Sequence, residues 1–379
     1  MRQQAVIPGL SVGGPLVGLK VIEMAGIGPT PLAAMLLSDM GASIVRVLRP
    51  GAARDDPRDF VLRGRRNVEL DLKAPGAVAS LLQLIEHADV LIEGFRPGVM
   101  ERLHIGPEVV LKHNSRLIFA RITGWGQTGA LAETAGHDIN YIALTGALAA
   151  IGAKGGTPIP PLNLVGDYGG GALYLVVGIL AALYERRRSG HGQVIDSAMV
   201  DGTASLMSAI YAWRSMEMWP AERGGNLLDG GAPFYGTYEC SDGRYIAIGC
   251  MERKFFDELL RLMGLTASEF AQRDERATWI GLREKLQAAF KRRTCAEWCA
   301  VLEHTDACCS PVLTMSEAPH HPHLAGRGTF VEYNGRAVPG PAPRFSRTPS
   351  KMQPMPNASM EDASKIAQEW ATAVAIGTC

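Results

Sequence analysis

The sequence predicts an α/β protein with a larger domain built on a parallel sheet with crossover helices and a smaller α/β domain after it. Three observations predict this. From residue 18 to 125, short β-rich runs alternate with helical patterns, the order that winds a parallel sheet. After about residue 200 that alternation gives way to helical stretches rich in Met and Trp, and then to a hairpin pattern with helices of its own. A chain of 379 residues, 47% of them hydrophobic, supports two domains rather than one.

Taken in order, LKVIEMA reads as the first strand, PLAAMLLSDMG as a helix ending at Gly41, and SIVRVLR as the second strand, a Rossmann-like start. A helix through AVASLLQLIEHA, the strand DVLIEG, another helix and the strand RLIFARITG follow, closed by the turn-rich GWGQTG. In such a sheet the C-terminal strand ends carry the site. The apolar run Ala172–Tyr184 ends in Glu185-Arg186-Arg187-Arg188 and reads as a buried helix with a basic C-terminus, too short to span a bilayer. QVIDSAM is a further strand. The runs FYGTYE and RYIAIG around a CSDG turn form a hairpin, FFDELLRLMGL and LREKLQAAF are helices, and the tail from Glu361 is helical again. These elements divide the chain into a large domain over 1–198, a helical linker over 199–232 and a small domain over 233–318. A return linker over 319–341 and a C-terminal part over 342–379 that rejoins the large domain complete the division.

The charge balance limits the partners. Thirty-eight basic and 38 acidic residues leave no long-range field toward nucleic acid or a membrane surface, so any anion site is local. Seven cysteines include no C-x-x-C pair, and Cys308 and Cys309 are adjacent neighbours that a bridge would strain. Reduced thiols and a cytoplasmic location are expected. The lead-in MRQQAVIPGLSVGG has one Arg and no sustained apolar stretch, so it does not read as a signal peptide.

Several motifs invite chemistry. Ala25-Gly26-Ile27-Gly28-Pro29-Thr30-Pro31 imitates a dinucleotide-binding glycine loop. Pro31 replaces the third glycine, however, and the second strand carries Arg46 and Arg49 where a ribose-binding acid belongs. Arg49 suits a phosphate instead, although a solvated Arg reads the same way, and Arg63, Arg65, Arg66, Lys73, Arg96 and Arg102 fall near strand ends of the same half. His137 sits among turn-formers just before the helical IALTGALAA. Asp167 precedes Gly169-Gly170-Gly171, which suggests close ligand approach at a helix N-terminus; the same position also suits a simple N-cap. Glu252 follows the hairpin strand. His320-His321-Pro322-His323 has no regular ligand geometry and no cysteines spaced for zinc, so no metal is expected. Met199, Met207, Met216 and Met218 offer either a pliable surface for an acyl chain or core filling.

These residues carry a resemblance. The runs PLVGLKVIEMAGIGP, LIEGFRPGVMERL, RITGWGQTG, AGHDINYIALTG, PPLNLVGDYGGG, GQVIDSAMVDG, LDGGAPFY, TYECSDGRY and PAPRFSRT cover nearly the whole chain. The chain resembles the α-methylacyl-CoA racemase branch of the class III CoA-transferase superfamily, to which GHDINY together with GDYGGG points. The resemblance implies a Rossmann-like large domain completed by C-terminal residues, a smaller domain, and two chains interlocked as a homodimer with active sites between subunits. It makes His137 and Asp167 the catalytic acid/base pair and Glu252 the hydrogen-bond partner of the histidine. It places the coenzyme A of an acyl-CoA thioester near Ile27, Arg49, Leu70, Asp71, Leu72, Lys73, Gly94, Phe95, Arg96 and Arg102. Gly136, Asp138, Ile139, Asn140 and Tyr141 would line the thioester. The family commonly follows the glutamate with Pro-Gln, where this chain has Arg253-Lys254, and two added charges there would favour a polar acyl group or simply face solvent.

The expected reaction belongs to acyl-CoA and lipid metabolism. Inverting the centre next to a thioester carbonyl needs a base on one face and a proton donor on the other, which His137 and Asp167 supply in exchangeable roles. Neutral His137 must then coexist with protonated Asp167, so burial must raise the aspartic acid. No metal or redox cofactor is needed, and coenzyme A enters only as part of the substrate. The alternatives are CoA transfer between carboxylic acids through an anhydride at Asp167, and a noncatalytic thioester-binding protein.

Overall fold

The computed structural model describes residues 13–52, 56–220, 222–357 and 359–372; the expected loose lead-in through residue 12 and the last residues of the helical tail lie outside the described residues. The chain divides into two compact units. The larger is drawn from Met1–Thr145, Leu162–Leu206 and Arg327–Cys379, the smaller from Gly146–Pro161 and Met207–Gly326.

In the larger unit, six parallel strands pair in the order β3-β2-β1-β4-β5-β6. They are β1 Lys20–Met24, β2 Ser43–Leu48, β3 Arg65–Glu69, β4 Val90–Glu93, β5 Ile118–Thr123 and β6 Val194–Ala198. Helices cover both faces, so β2 and β5 are buried along their whole length, the reason their sequences are apolar runs rather than alternating ones. The unit's helices are α1 Pro29–Asp39, α2 Ala77–Glu86, α3 Val99–Arg102, α4 Pro107–His113, α5 Asp138–Leu144, α7 Tyr174–Ser189, α8 Met199–Leu206 and α14 Ala363–Thr372. One face packs Leu81, Leu84, Val110 and Phe119 with Ile366 and Trp370 of α14. The other packs Ala33 and Leu37 of α1 with Leu175 and Ile179 of α7. The C-terminal segment is tied in twice more, by Arg66 to Glu361 and Glu369 and by the Lys20 ammonium, which donates to the Trp370 carbonyl at 2.6 Å.

Two features differ from the sequence expectations. β3, with the sequence RRNVE, carries no apolar alternation and was not expected; it is possible because Arg65 turns inward and pairs with Glu23 of β1 at 2.9 Å with both side chains out of solvent. Arg63 likewise pairs with buried Asp39, and Arg66 with the two C-terminal glutamates, so these three arginines are structural rather than phosphate ligands. The helix around Ala172–Tyr184 starts earlier than expected. A π-helix over Leu164–Leu173 runs directly into α7, giving 26 continuous residues, long and apolar enough by composition to cross a membrane. It is buried on one side only: Leu175 and Ile179 face the sheet, whereas Leu173, Val177 and Tyr184 are 50%, 64% and 67% exposed. Its basic last turn, Arg186–Arg188, is as expected and ends at Gly190, whose φ of +80° needs glycine.

The smaller unit has a three-stranded antiparallel sheet of β7 Tyr235–Glu239, β8 Tyr245–Gly249 and β9 Cys309–Pro311, with the expected hairpin between the first two. Its helices are α6 Ala147–Ala150, α9 Ser208–Ser215, α10 Arg253–Met263, α11 Trp279–Phe290 and α12 Cys295–Leu302, with α13 Pro322–Arg327 leading out of it. The pair β10 Phe330–Tyr333 and β11 Arg336–Pro339 follows. The core of this unit is aromatic, built on Phe256, Phe270, Phe290 and Trp298, and buried Arg273 sits over the rings of Phe234 and Phe256 at 3.9 and 4.7 Å.

Candidate active site

In an open parallel sheet the crevice lies where strand order reverses, because the crossovers on its two sides leave in opposite directions. Here that point falls between β1 and β4. A cleft of about 550 Å³ opens there, lined among others by Gly28 after β1, Arg96 after β4, Trp125 after β5, and His137, Asn163 and Asp167. His137 and Asp167, thirty residues apart in sequence, therefore face one cavity.

Each wall has a local cause. The glycine loop after β1 lines the cleft. Gly28, at φ +70°, caps α1, and a Cβ there would meet Asp167 Oδ2 at 3.2 Å, so the glycine makes room for the carboxylate. The Gly94-Phe95-Arg96 loop is braced by Glu93, which accepts from the Phe95 amide and from Arg121, each at 2.7 Å; Arg121 reaches on to Glu101. The turn bearing His137 is clamped by aromatic rings: Trp125 and Tyr141 meet edge-on at 4.8 Å, and the Tyr141 hydroxyl donates to the Gly136 carbonyl. A Cβ at Gly124 would lie 2.1 Å from the Tyr141 ring and one at Gly136 2.8 Å, so both glycines are required for this packing.

His137 caps α5 and is exposed; its amide donates to Asn140 Oδ1 at 3.0 Å. Asp167 is half-buried. Its amide donates to Asp138 Oδ1 at 2.7 Å, and its Oδ2 accepts from Asn163 Nδ2 at 3.3 Å. Burial pushes the Asp167 carboxyl above the usual carboxylate range; the Asn163 hydrogen bond opposes this, the Asp138 charge adds to it, and His137 draws it back. Asp167 is not the N-cap, a place taken by Asn163 four residues earlier. Nor do the glycines after it bring a ligand to the helix N-terminus. They let α8 approach the π-helix: a Cβ at Gly170 would lie 2.6 Å from the Thr203 nitrogen, and one at Gly202 only 1.9 Å from the Gly170 oxygen.

A model of CoA-transferase family III matches residues 16–360. The chain belongs to that family. Within CoA-transferase family III it is 47% identical over 335 residues to the α-methylacyl-CoA racemase of Mus musculus, covering 88% of this chain and 87% of that one. It is 46% identical to the racemase of Homo sapiens over the same shares. The crystal structure of a CAIB/BAIF family protein from Brucella suis superposes with a TM-score of 0.79 at 26% identity, covering 95% of this chain and all of that one.

The remaining residues that the family resemblance picks out divide into two groups. Ile27, Gly94, Phe95, Arg96, Gly136 and Tyr141 line the cleft, Ile27 being 81% exposed. Arg49, Asp71, Lys73 and Arg102 are exposed beyond the strands of the same half, while Leu70 and Leu72 lean on the core beneath α2. Asp138 is buried behind the wall, and Ile139 and Asn140 are exposed on α5. Glu252 belongs to the smaller unit, where it is the exposed N-cap of α10; Arg253 pairs with Asp274 at 2.9 Å and Lys254 lies over the Phe255 ring. Asn163, Trp125 and the Glu93–Arg121 brace were not singled out from the sequence. Asn163 had a usable signal, its i, i+4 spacing to Asp167.

Proposed function

We propose that this chain is an isomerase that interconverts (2R)- and (2S)-2-methylacyl-CoA thioesters by 1,1-proton transfer, with His137 and Asp167 as opposed acid/bases. The observation that carries the reading is the placement of an exposed imidazole and a carboxyl raised by burial on one cleft at the sheet's reversal point. A raised carboxyl can hold a proton beside a neutral imidazole, the state from which one partner takes the α-proton and the other returns one from the opposite face. The names of the mouse and human relatives support racemisation over CoA transfer. One proton leaves carbon and one returns, so the stoichiometry requires no redox partner.

In this proposal Glu252 hydrogen-bonds the histidine, and Ile27, Arg49, Leu70, Asp71, Leu72, Lys73, Gly94, Phe95, Arg96 and Arg102 hold coenzyme A. The half-exposed apolar side of the continuous helix, with Leu173 at the end of the π-helix and Val177 and Tyr184 on α7, supports assembly as a homodimer. A cytoplasmic location agrees with the six described cysteines being thiols.

Incubation with (2R)-2-methylacyl-CoA in deuterated water, with a free acid acceptor in a parallel sample, tests the reading. Deuterium entry at the α-carbon with loss of chirality, and no acyl transfer, is expected. Transfer without α-exchange would make Asp167 a nucleophile and overturn it. His137→Ala is expected to lower α-exchange by about 100-fold or more, the scale of a lost general base.

A further inference from the structure

Asp138 stands between the two proposed acid/bases. It is the first residue of α5, directly after His137, and only 7% exposed. Its Oδ1 accepts the Asp167 amide at 2.7 Å across 29 residues of sequence. Its Oδ2 is buried with no hydrogen-bond partner among the described residues. A buried carboxylate oxygen left without a donor costs stability, so a purely structural site would favour a neutral acceptor there. The backbone is cleared for this contact: a Cβ at Gly166 would lie 2.5 Å from Asp138 Oδ1, so only glycine lets the amide of the next residue reach the carboxylate.

We propose that Asp138 is a positioning residue that ties the turn carrying His137 to the helix carrying Asp167 and sets the distance between them. The inference rests on the racemase reading. Covalent continuity fixes Asp138 to His137 on one side, and a hydrogen bond to main chain, which has no rotamer to change, fixes it to Asp167 on the other. Misplacement of paired reacting groups by an ångström costs about 100-fold in rate, which gives such a tie its value. The charge has a second effect. Asp138 opposes ionisation of Asp167, as burial does, while His137 favours it; Tyr141 on α5, Tyr168 on the π-helix and Arg96 after β4 are the other titratable groups lining the cleft. Removing the charge while keeping the acceptor therefore lowers the pH at which Asp167 loses its proton.

The test compares Asp138→Asn, which retains an acceptor for the Asp167 amide, with Asp138→Ala, which does not. α-Deuterium exchange is followed against pH from each enantiomer, and Asp167 is titrated by carbon-13 NMR in the ligand-free protein. Expected are a kcat for Asp138→Ala about 10- to 100-fold below wild type with little change in KM, and substantial rescue of kcat by Asp138→Asn. The Asp138→Asn protein should show both the Asp167 limb of the profile and the NMR midpoint moved to lower pH. Wild-type kcat in Asp138→Ala, or an unmoved Asp167 midpoint in a folded Asp138→Asn protein, would overturn the proposal. Absence of α-exchange in the wild-type protein would instead overturn the racemase reading, while the NMR midpoint still reports on Asp138.

Discussion

Asp167 is where local environment sets chemistry. Half-buried and packed against Gly28, it lies in the field of the Asp138 carboxylate, and burial with that charge outweighs the pull of Asn163 and His137, so its proton is held more tightly than in water. The raised carboxyl has a consequence for stability. In the unfolded chain Asp167 ionises at its ordinary pKa; in the folded protein it ionises higher, so the folded state loses stability as pH rises from the first value to the second. Asp167→Asn does not titrate and escapes that loss. Its melting temperature relative to wild type should therefore climb as pH rises above the ordinary aspartate value of about 4. A difference that stays flat over that rise in thermal unfolding would show that the carboxyl is not raised.

The contact between the π-helix and α8 governs the site at the scale of elements. Asp167 is placed by a helix whose glycine face lets α8 pack backbone against backbone, with Gly202 against the Gly170 carbonyl. Gly202→Ala puts a methyl where no space exists and must push the two helices apart. A loss of about 1–3 kcal/mol is expected in denaturant unfolding, the usual range for overpacking, with kcat falling as Asp167 moves with its helix. A stability equal to wild type would mean that the helices slide without cost. The buried pair at β3 acts on the same scale. Arg65→Met leaves Glu23 buried without its cation and should cost about 3–5 kcal/mol, most of it recovered by adding Glu23→Gln. A double variant no better than the single one would show that the pair is not what supports the strand.

The whole larger unit depends on residues from its far end. α14 closes one face of the sheet with Trp370, and Glu361 and Glu369 anchor Arg66 of β3, so the fold is complete only when residues more than 290 positions apart meet. Trp370→Ala is expected to destabilise the protein by about 3–5 kcal/mol, with hydrogen exchange rising in β2, β3 and α2 rather than in the β7–β8 hairpin. Faster exchange confined to the hairpin would contradict this division.

The sequence by itself determined the alternation of strands and helices and the hairpin of the smaller unit, because apolar periodicity and turn chemistry are local properties read within a dozen residues; His137 and Asp167 were picked out by the family resemblance of their motifs, which local patterning alone left open to a structural reading. It did not reveal β3, whose charged residues make a strand only once Glu23 of another strand is beside Arg65. Nor did it reveal why Asp167 is followed by glycines, which answer to α8 some thirty residues on, or that the Asp167 amide is held by Asp138. Strand order, which brings the loops after β1 and β4 into one crevice, was likewise decided only by the tertiary structure. The physical reason is common to all four: a buried charge, a close backbone contact or a shared cleft has its energy in groups distant along the chain, and only the folded arrangement states which groups those are.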